Sequence, residues 1–105
     1  MIVLMDNDLK ELYEKGTSKK YKEVERNNEL MTGFLRAVKI MTEANTINDI
    51  KCYSYLHYEQ LKHQLSGYSS VRLSNRFVHR LLFTENDNGI EIKLIEIDNT
   101  HYGNK

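Results

Sequence analysis

Side chains in the second half of the sequence include the types needed to cleave RNA without a metal ion. Attack of a 2′-hydroxyl on the adjacent phosphate requires a base for the hydroxyl proton and an acid for the departing 5′-oxygen. It also requires a cation for the extra charge of the pentavalent phosphate. Glu59 is a candidate base, His101 a candidate acid and Arg80 a candidate cation. Tyr102 adds a ring on which a nucleobase can stack, worth about 1–3 kcal/mol.

The charge distribution is compatible with a polyanionic partner. The 15 basic and 15 acidic side chains of the chain cancel. Residues 46–80 nevertheless carry five Lys or Arg against two acidic residues, together with three of the four histidines. Because phosphate contacts are made by a local patch, a neutral protein with a basic segment can bind a polyanion. A solvated sheet face would carry the same charges.

Other chemistries find less support in the residue types. His57 and His63 lack the His-x-x-x-His spacing that directs two rings at one metal ion. Cys52 is the single cysteine, which excludes an internal disulfide and a cysteine-based zinc site, and we expect it to be buried. No Gly-x-Ser-x-Gly motif marks an activated serine. We therefore expect no metal and no cofactor.

Length and hydropathy predict one domain spanning residues 1–105. The sequence has no proline, no internal repeat and no linker-like tract. Its apolar runs are far shorter than the roughly 20 residues that span a bilayer. Residues 1–6 are too short and too acidic for a signal peptide. We therefore expect a cytoplasmic protein without a membrane partner.

The first elements that must position these side chains are a strand and a short helix. Residues 1–5 form an apolar run that predicts a strand. Asp8 and Glu11 have the spacing of an N-terminal helix cap. Gly16 is the predicted end of that helix, because glycine accepts the left-handed conformation common just past a helix.

A second, longer helix is predicted from Thr17 or Ser18 to Ala44. Its apolar stripe recurs at helical spacing and consists of Leu30, Phe34, Val38 and Met41, with Met31, Leu35 and Ala37 beside it. Gly33 within the stripe costs about 1 kcal/mol relative to alanine. We therefore expect a close packing contact at Gly33.

After residue 55 the apolar period changes to two. Val71 and Leu73 alternate with polar residues, and residues 77–83 continue the alternation, which is typical of strands. Residues 86–89, with Asn-Gly at the end, predict a hairpin turn before a last strand over residues 90–97. The apolar positions of that strand shift parity across Leu94 and Ile95, which indicates a bulge or burial of both faces. The predicted fold is α+β, with an N-terminal strand, two helices on one sheet face, and an antiparallel sheet of three or more strands.

Several motifs resemble a known family. Residues 59–72, EQLKHQLSGYSSVR, resemble the E-x-LKH-x-LSG-[YF]-WS-x-R segment of YoeB toxins. Residues 79–83, HRLLF, resemble the HRLVY motif that follows it, and His101 with Tyr102 resembles the terminal His-Tyr pair of those toxins. The first sixty residues resemble HigB toxins, which open with a strand, an LKxLYEKG helix and a long second helix. The sequence is thereby identified as a member of the RelE superfamily of type II toxin–antitoxin toxins.

The resemblance implies a microbial-RNase-like α+β fold and an mRNA interferase that cleaves message in the ribosomal A site. It implies as partners the ribosome, its mRNA and a cognate antitoxin of the helix-turn-helix type, through which operator DNA is bound indirectly. A non-catalytic ParE-like toxin that inhibits a topoisomerase is the alternative of the same fold. That class needs no general acid, so the His-Tyr pair favours the ribonuclease.

The resemblance also implies residue roles. Glu59 matches the general base of YoeB, Arg80 its phosphate-stabilising arginine, His101 its general acid and Tyr102 its terminal tyrosine. His57 matches a catalytic histidine of HigB and competes with Glu59 for the role of base. The expected RNA-binding side chains lie in the basic segment and the tail, and they are Lys62, His63, Arg72, Arg76 and Lys105.

The sequence departs from the YoeB pattern at three places, one of which is the Gly103-Asn104-Lys105 segment after the His-Tyr pair. Ser69 stands where YoeB toxins have the tryptophan of GYWS, which removes a large ring. Two extra residues lie between Arg72 and Arg80, so the connecting hairpin is longer. Relative to HigB, two residues are inserted after His57, and either His57 or Glu59 can have the productive reach.

Overall fold

A computed structural model describes residues 1–86 and 88–99. In this part of the chain the strands are β1 (Ile2–Met5), β2 (Glu59–Gln60), β3 (Ser69–Arg72), β4 (Arg80–Glu85) and β5 (Glu91–Asp98). The α-helices are α1 (Asn7–Lys15), α2 (Lys22–Glu25), α3 (Asn28–Glu43) and α4 (Ile47–Lys51). None of these helices has the length and apolar character needed to cross a membrane.

The strands form one sheet in the order β1-β5-β4-β3-β2. β1 pairs with β5 in parallel, and the other neighbours are antiparallel. β5 and β4 therefore lie inside the sheet, while the two-residue strand β2 forms one edge. The predicted α+β class is confirmed.

The predicted bulge lies in β5. Leu82 of β4 pairs with Glu96, but its neighbour Phe83 pairs with Leu94, so Ile95 is the extra residue. An extra residue reverses the alternation of the strand beyond it, which explains the parity shift in the sequence.

The predicted hairpin turn joins β4 to β5. The Gly89 N–H donates to the Asn86 carbonyl oxygen at 3.0 Å, and Gly89 has a φ of 74°. Asp87, which belongs to the predicted turn, lies outside the described residues. The left-handed backbone explains the glycine.

The apolar stripe of α3 packs on the sheet as predicted. Its four principal residues are at most 1 % exposed, and Ala37 is buried with them. Leu35, predicted as part of the stripe, is 40 % exposed, because it lies to one side of the buried face.

The close contact predicted at Gly33 is confirmed. A Cβ atom added there would lie 1.9 Å from the Leu73 carbonyl oxygen. Glycine thus lets the backbone after β3 rest directly on α3.

The long helix predicted over residues 17–44 is wrong, because the helix is interrupted before Asn28. The Asn27 side-chain oxygen accepts hydrogen bonds from the N–H groups of Glu29 and Leu30 at 3.0 and 3.1 Å. This N-cap starts α3 anew, since an asparagine side chain competes with the backbone for helical donors. Thr17 and Ser18 cap no long helix, and both donate to the carboxylate of Glu25.

The ends of α1 are only partly as predicted. Gly16 ends the helix with a φ of 74°, and its N–H donates to the Leu12 carbonyl. The N-cap residue is Asp6, so the cap predicted at Asp8 is wrong, and Asp8 lies in the first turn.

The segment between α3 and β2 contains α4 and a 3₁₀ turn over Ser54–Leu56. The Asp49 carboxylate accepts from the backbone N–H groups of Asn45 and Thr46, completing a capping box. Cys52 follows α4 and is exposed, so its predicted burial is wrong.

Candidate active site

The two faces of the sheet differ in composition. Val71, Leu81 and Phe83 are completely buried in the core that includes α3. Because side chains alternate along a strand, their neighbours in β3 and β4 point to the opposite face, which we call the outer face. Most of the predicted site residues that the structure describes lie on this face or along its margins.

The register arranges the outer face in two rows across the strands. One row consists of Arg72, Arg80 and Asp98. The other consists of Glu59, Ser70, Leu82 and Glu96. Neighbouring strands are about 4.8 Å apart and alternate residues about 6.7 Å apart, so roughly 12 Å separates the Cα atoms of Glu59 and Arg80. A phosphodiester with its two sugars fits between them.

Arg80 is buried and paired with an acidic residue that the sequence did not single out. Its Nε lies 3.4 Å from Asp98 Oδ2, and both side chains are less than 10 % exposed. Asp98 holds the guanidinium in place and offsets its charge. Asp98 follows Ile97 in the sequence and therefore lies on the opposite face of the strand. Its pairing with Arg80 could be recognised only from the register of the strands.

Arg72 lies directly across from Arg80 in the sheet. Its Nη2 donates to the Phe77 carbonyl oxygen at 2.7 Å, which ties the arginine to the loop between β3 and β4. Its Nε is buried and finds no hydrogen-bond partner among the described residues. A buried donor of this kind calls for a water or a ligand.

His57 lies at the sheet edge beside this row, two residues before β2. It ends the 3₁₀ turn with a φ of 50°, an uncommon conformation for a residue with a side chain. Its Nε2 lies 3.1 Å from Asn75 Oδ1. Glu59 and His57 are both exposed at the same edge, so the geometry leaves both candidates for the base in place.

The remaining basic candidates are spread over both ends of the sheet. Arg76, in the loop after β3, pairs with Glu29 at 3.2 Å. Lys62 and His63 follow β2 and lie exposed at the other end, because β2 and β3 are antiparallel. The structure therefore brings Arg72 close to Arg80 and separates Lys62 and His63 from that pair. His101, Tyr102 and Lys105 lie outside the described residues.

Ser69 forms a polar cluster on the inner face that sequence reasoning missed. Its hydroxyl donates to Glu85 Oε2 at 2.7 Å, and the Tyr58 hydroxyl donates to the same oxygen. Burial, and then the hydrogen bond to the Glu85 carboxylate, raises the pKa of Tyr58 above its ordinary value of 10.0. The sequence feature that could have indicated this cluster is Ser69 itself, which stands where YoeB toxins have a tryptophan.

No group of three or more His, Cys, Asp or Glu side chains within residues 1–86 and 88–99 is arranged to hold a metal ion. The ionisable side chains described on the outer face and at its edge include carboxylates, an imidazole and guanidinium groups.

Solved structures provide the comparison. A YoeB–YefM complex from Staphylococcus aureus contains a chain 24 % identical to this one, with 97 % of this chain and 98 % of that chain covered and a TM-score of 0.57. A YoeB/ParE toxin from Agrobacterium tumefaciens is 15 % identical over 96 % of this chain and 100 % of that one, with a TM-score of 0.54. No protein-family model and no curated protein matches the sequence.

These likenesses establish the fold. The chain has the fold of the solved YoeB toxin structures, which is the fold that the predicted resemblance to YoeB implies. Because these identities are below 25 %, the likeness concerns the fold and not an activity. The resemblance of the N-terminal half to HigB toxins stays a prediction.

Proposed function

We propose that this chain is the toxin of a type II toxin–antitoxin system and acts as a metal-independent, ribosome-dependent endoribonuclease that inhibits translation. A toxin fold and a shared outer face for Glu59, Arg72 and Arg80 support the proposal. His101 follows three positions after Asp98, the residue paired with Arg80.

One observation carries the proposal, namely the two arginines paired directly across β3 and β4. Like charges in such a pair repel each other and destabilise a sheet. Asp98 offsets part of this charge, while the buried Nε of Arg72 is still without a partner among the described residues. A phosphate bound between the two guanidinium groups would add negative charge and supply an acceptor for the Arg72 Nε.

In the proposed reaction, the Glu59 carboxylate takes the proton of the 2′-hydroxyl, with His57 as the competing base. The 2′-oxygen attacks phosphorus, and the bond to the 5′-oxygen breaks as His101 gives that oxygen a proton. The products are a 2′,3′-cyclic phosphate and a 5′-hydroxyl. Arg80, with Arg72 beside it, stabilises the pentavalent phosphate, and Tyr102 stacks on a base. Lys62, His63, Arg76 and Lys105 are proposed to contact RNA more peripherally.

Two substitutions test this assignment. We expect His101→Ala and Arg80→Ala to abolish growth arrest, because loss of one transition-state contact commonly lowers kcat by 10²–10³. Growth after induction is the measurement, and circular dichroism with antitoxin binding reports the fold. His101→Ala leaves the Arg80–Asp98 pair in place, so it stays informative if Arg80→Ala unfolds. Full toxicity of folded variants would contradict the assignment.

We propose a cognate antitoxin, the ribosome and A-site mRNA as partners, with operator DNA bound through the antitoxin. One of the structural neighbours is a YoeB bound to YefM, which supports an antitoxin. Co-expression with the neighbouring reading frame tests this. Rescue of growth and co-purification are expected, and continued arrest without complex formation would argue against it.

A ParE-like binding toxin without catalysis is the second candidate. The observation in its favour is the burial of Arg80 against Asp98, because an arginine whose charge is partly offset is a weaker clamp for phosphate. Primer extension on cellular mRNA separates the two candidates. New 5′ ends after induction are expected from the ribonuclease, whereas a binding toxin produces none.

A further inference from the structure

A groove lies between α3 and the loop that joins β3 to β4. We call it the tyrosine–arginine groove and define it by Arg36, Tyr55, Ser74, Asn75 and Arg76. Its volume is about 330 Å³. The catalytic assignments above leave most of this groove unused.

Tyr55 presents a ring that is both held and accessible. The Arg36 guanidinium carbon lies 5.5 Å from the centre of the ring, and the Tyr53 ring meets it edge-on at 5.9 Å and 80°. Tyr55 is nonetheless 39 % exposed. An oriented, partly exposed aromatic ring beside an arginine is a platform for a further planar group.

The opposite wall of the groove is fixed to α3. The Ser74 hydroxyl donates to the Glu29 carboxylate and accepts from the Arg76 N–H at 3.0 Å. Arg76 pairs with the same carboxylate at 3.2 Å. With Gly33 packed against Leu73, this wall is preorganised, which lowers the entropy cost of binding.

The groove adjoins the arginine row of the outer face. Asn75 contacts His57 at 3.1 Å, and the loop that carries Asn75 also accepts the hydrogen bond of Arg72 through Phe77. A chain bound at Arg72 and Arg80 could therefore reach Tyr55 by passing the sheet edge at His57.

The charge of the groove suits an anionic chain. Two guanidinium groups, those of Arg36 and Arg76, face one carboxylate, that of Glu29. The excess is positive, and the central surface is an aromatic ring. This combination of cation and stacking ring matches single-stranded nucleic acid, in which phosphates and bases alternate.

We propose that the tyrosine–arginine groove binds one base of single-stranded RNA next to the phosphate held by Arg72 and Arg80. The base stacks on Tyr55, and Arg36 and Arg76 contact the flanking phosphates. This inference rests on the proposed function, since it extends the path of the same RNA. It adds Tyr55 and Arg36 as substrate-binding residues outside the segment that resembles YoeB.

Fluorescence offers a direct test because the chain has no tryptophan. In Tyr55→Trp the indole reports on the groove, and stacking of a base quenches its emission. The probe is a short single-stranded RNA with 2′-O-methyl groups, which cannot be cleaved. Tyr13→Trp is the matched control, because Tyr13 is 44 % exposed and packs edge-on against Phe34 in another part of the fold.

We expect saturable quenching in Tyr55→Trp and none in Tyr13→Trp. An oligonucleotide with abasic sites should bind without quenching. Tyr55→Leu should weaken RNA binding roughly 5- to 150-fold, as expected for loss of one stacked base. Arg36→Gln should reduce the slope of log affinity against log salt by about one.

Two results would overturn the inference: equal quenching in both tryptophan variants, or quenching by an acidic peptide and not by RNA. The second would identify the groove as a protein-binding site. Because the probe is not cleavable, the outcome is independent of catalysis. If the wild type cleaves mRNA but RNA does not quench Tyr55→Trp, the proposed groove is rejected and the proposed ribonuclease activity is not. If RNA quenches Tyr55→Trp but induction produces no new mRNA 5′ ends, the ribonuclease activity is rejected and the groove is not.

Discussion

The ion pair of Arg80 and Asp98 governs charge on the outer face at the scale of single residues. Both side chains are buried, so neither charge is well hydrated, and each depends on its partners. Asp98 also fixes the orientation of the Arg80 guanidinium, whereas an arginine on the surface would have no fixed orientation. The ion pair thus holds the Arg80 guanidinium in position but reduces the positive electrostatic potential around it.

Removing the Asp98 carboxylate should be costly for the fold. We expect Asp98→Ala to lower the free energy of unfolding by about 3–5 kcal/mol, because it leaves a buried arginine without this counter-charge. Urea unfolding measures the effect, and Asp8→Ala, at an exposed position in α1, is the control. Added sulfate should restore part of the loss by replacing the charge. A change below about 1 kcal/mol would show that Asp98 is dispensable.

At the scale of elements, α3 and the loop after β3 are locked together. Gly33 permits the contact with Leu73, and Glu29 at the start of α3 binds Ser74 and Arg76. This one helix therefore supports both the sheet core and the wall of the tyrosine–arginine groove.

Gly33→Ala tests this contact. Alanine stabilises a helix by about 1 kcal/mol relative to glycine. Its Cβ would, however, collide with the Leu73 carbonyl oxygen, which belongs to the backbone and cannot move aside as the end of a flexible side chain can. We expect a net loss of about 1–3 kcal/mol in the free energy of unfolding and weaker RNA binding in the groove. Thr32→Ala, on the exposed side of the same helix, should be neutral or slightly stabilising. Equal stability of the two variants would contradict the contact.

The hydrogen bonds from the segment before α2 to the Glu25 carboxylate predict that the stability of the fold depends on pH. The Thr17 hydroxyl, then the Ser18 N–H, lowers the pKa of Glu25 below its ordinary value of 4.5. Because the folded pKa is the lower one, this stabilisation is complete above about pH 4.5 and is lost as the pH falls through the folded value. Glu25→Gln should therefore be less stable than the wild type at pH 7, and the difference should vanish on acidification.

Urea unfolding between pH 7 and pH 2 measures this difference. Glu14→Gln, at an exposed position in α1, controls for the general loss of a carboxylate. A difference between Glu25→Gln and the wild type that is constant across this range would argue against the hydrogen-bonded carboxylate.

At the scale of the whole molecule, features with a local cause could be predicted from the sequence. The stripe of α3, the bulge beside Ile95 and the turn ending at Gly89 follow from periodicity and backbone preference. The break at Asn27 could not, because the apolar period favours a helix and one side chain overrides it. The Arg80–Asp98 pair depends on register between strands, which no local pattern contains.

The parallel pairing of β1 with β5 has a consequence for how the chain folds. Ile2 lies beside Glu91, so the two strands are joined only after most of the sequence has been made. β5, the last described strand, lies between β1 and β4, and closing so long a loop between β1 and β5 is entropically costly. A nascent chain therefore cannot complete this sheet, or any activity that depends on it, before residues 91–98 have been synthesised. Stopped-flow refolding on the millisecond-to-second scale is the expected signature.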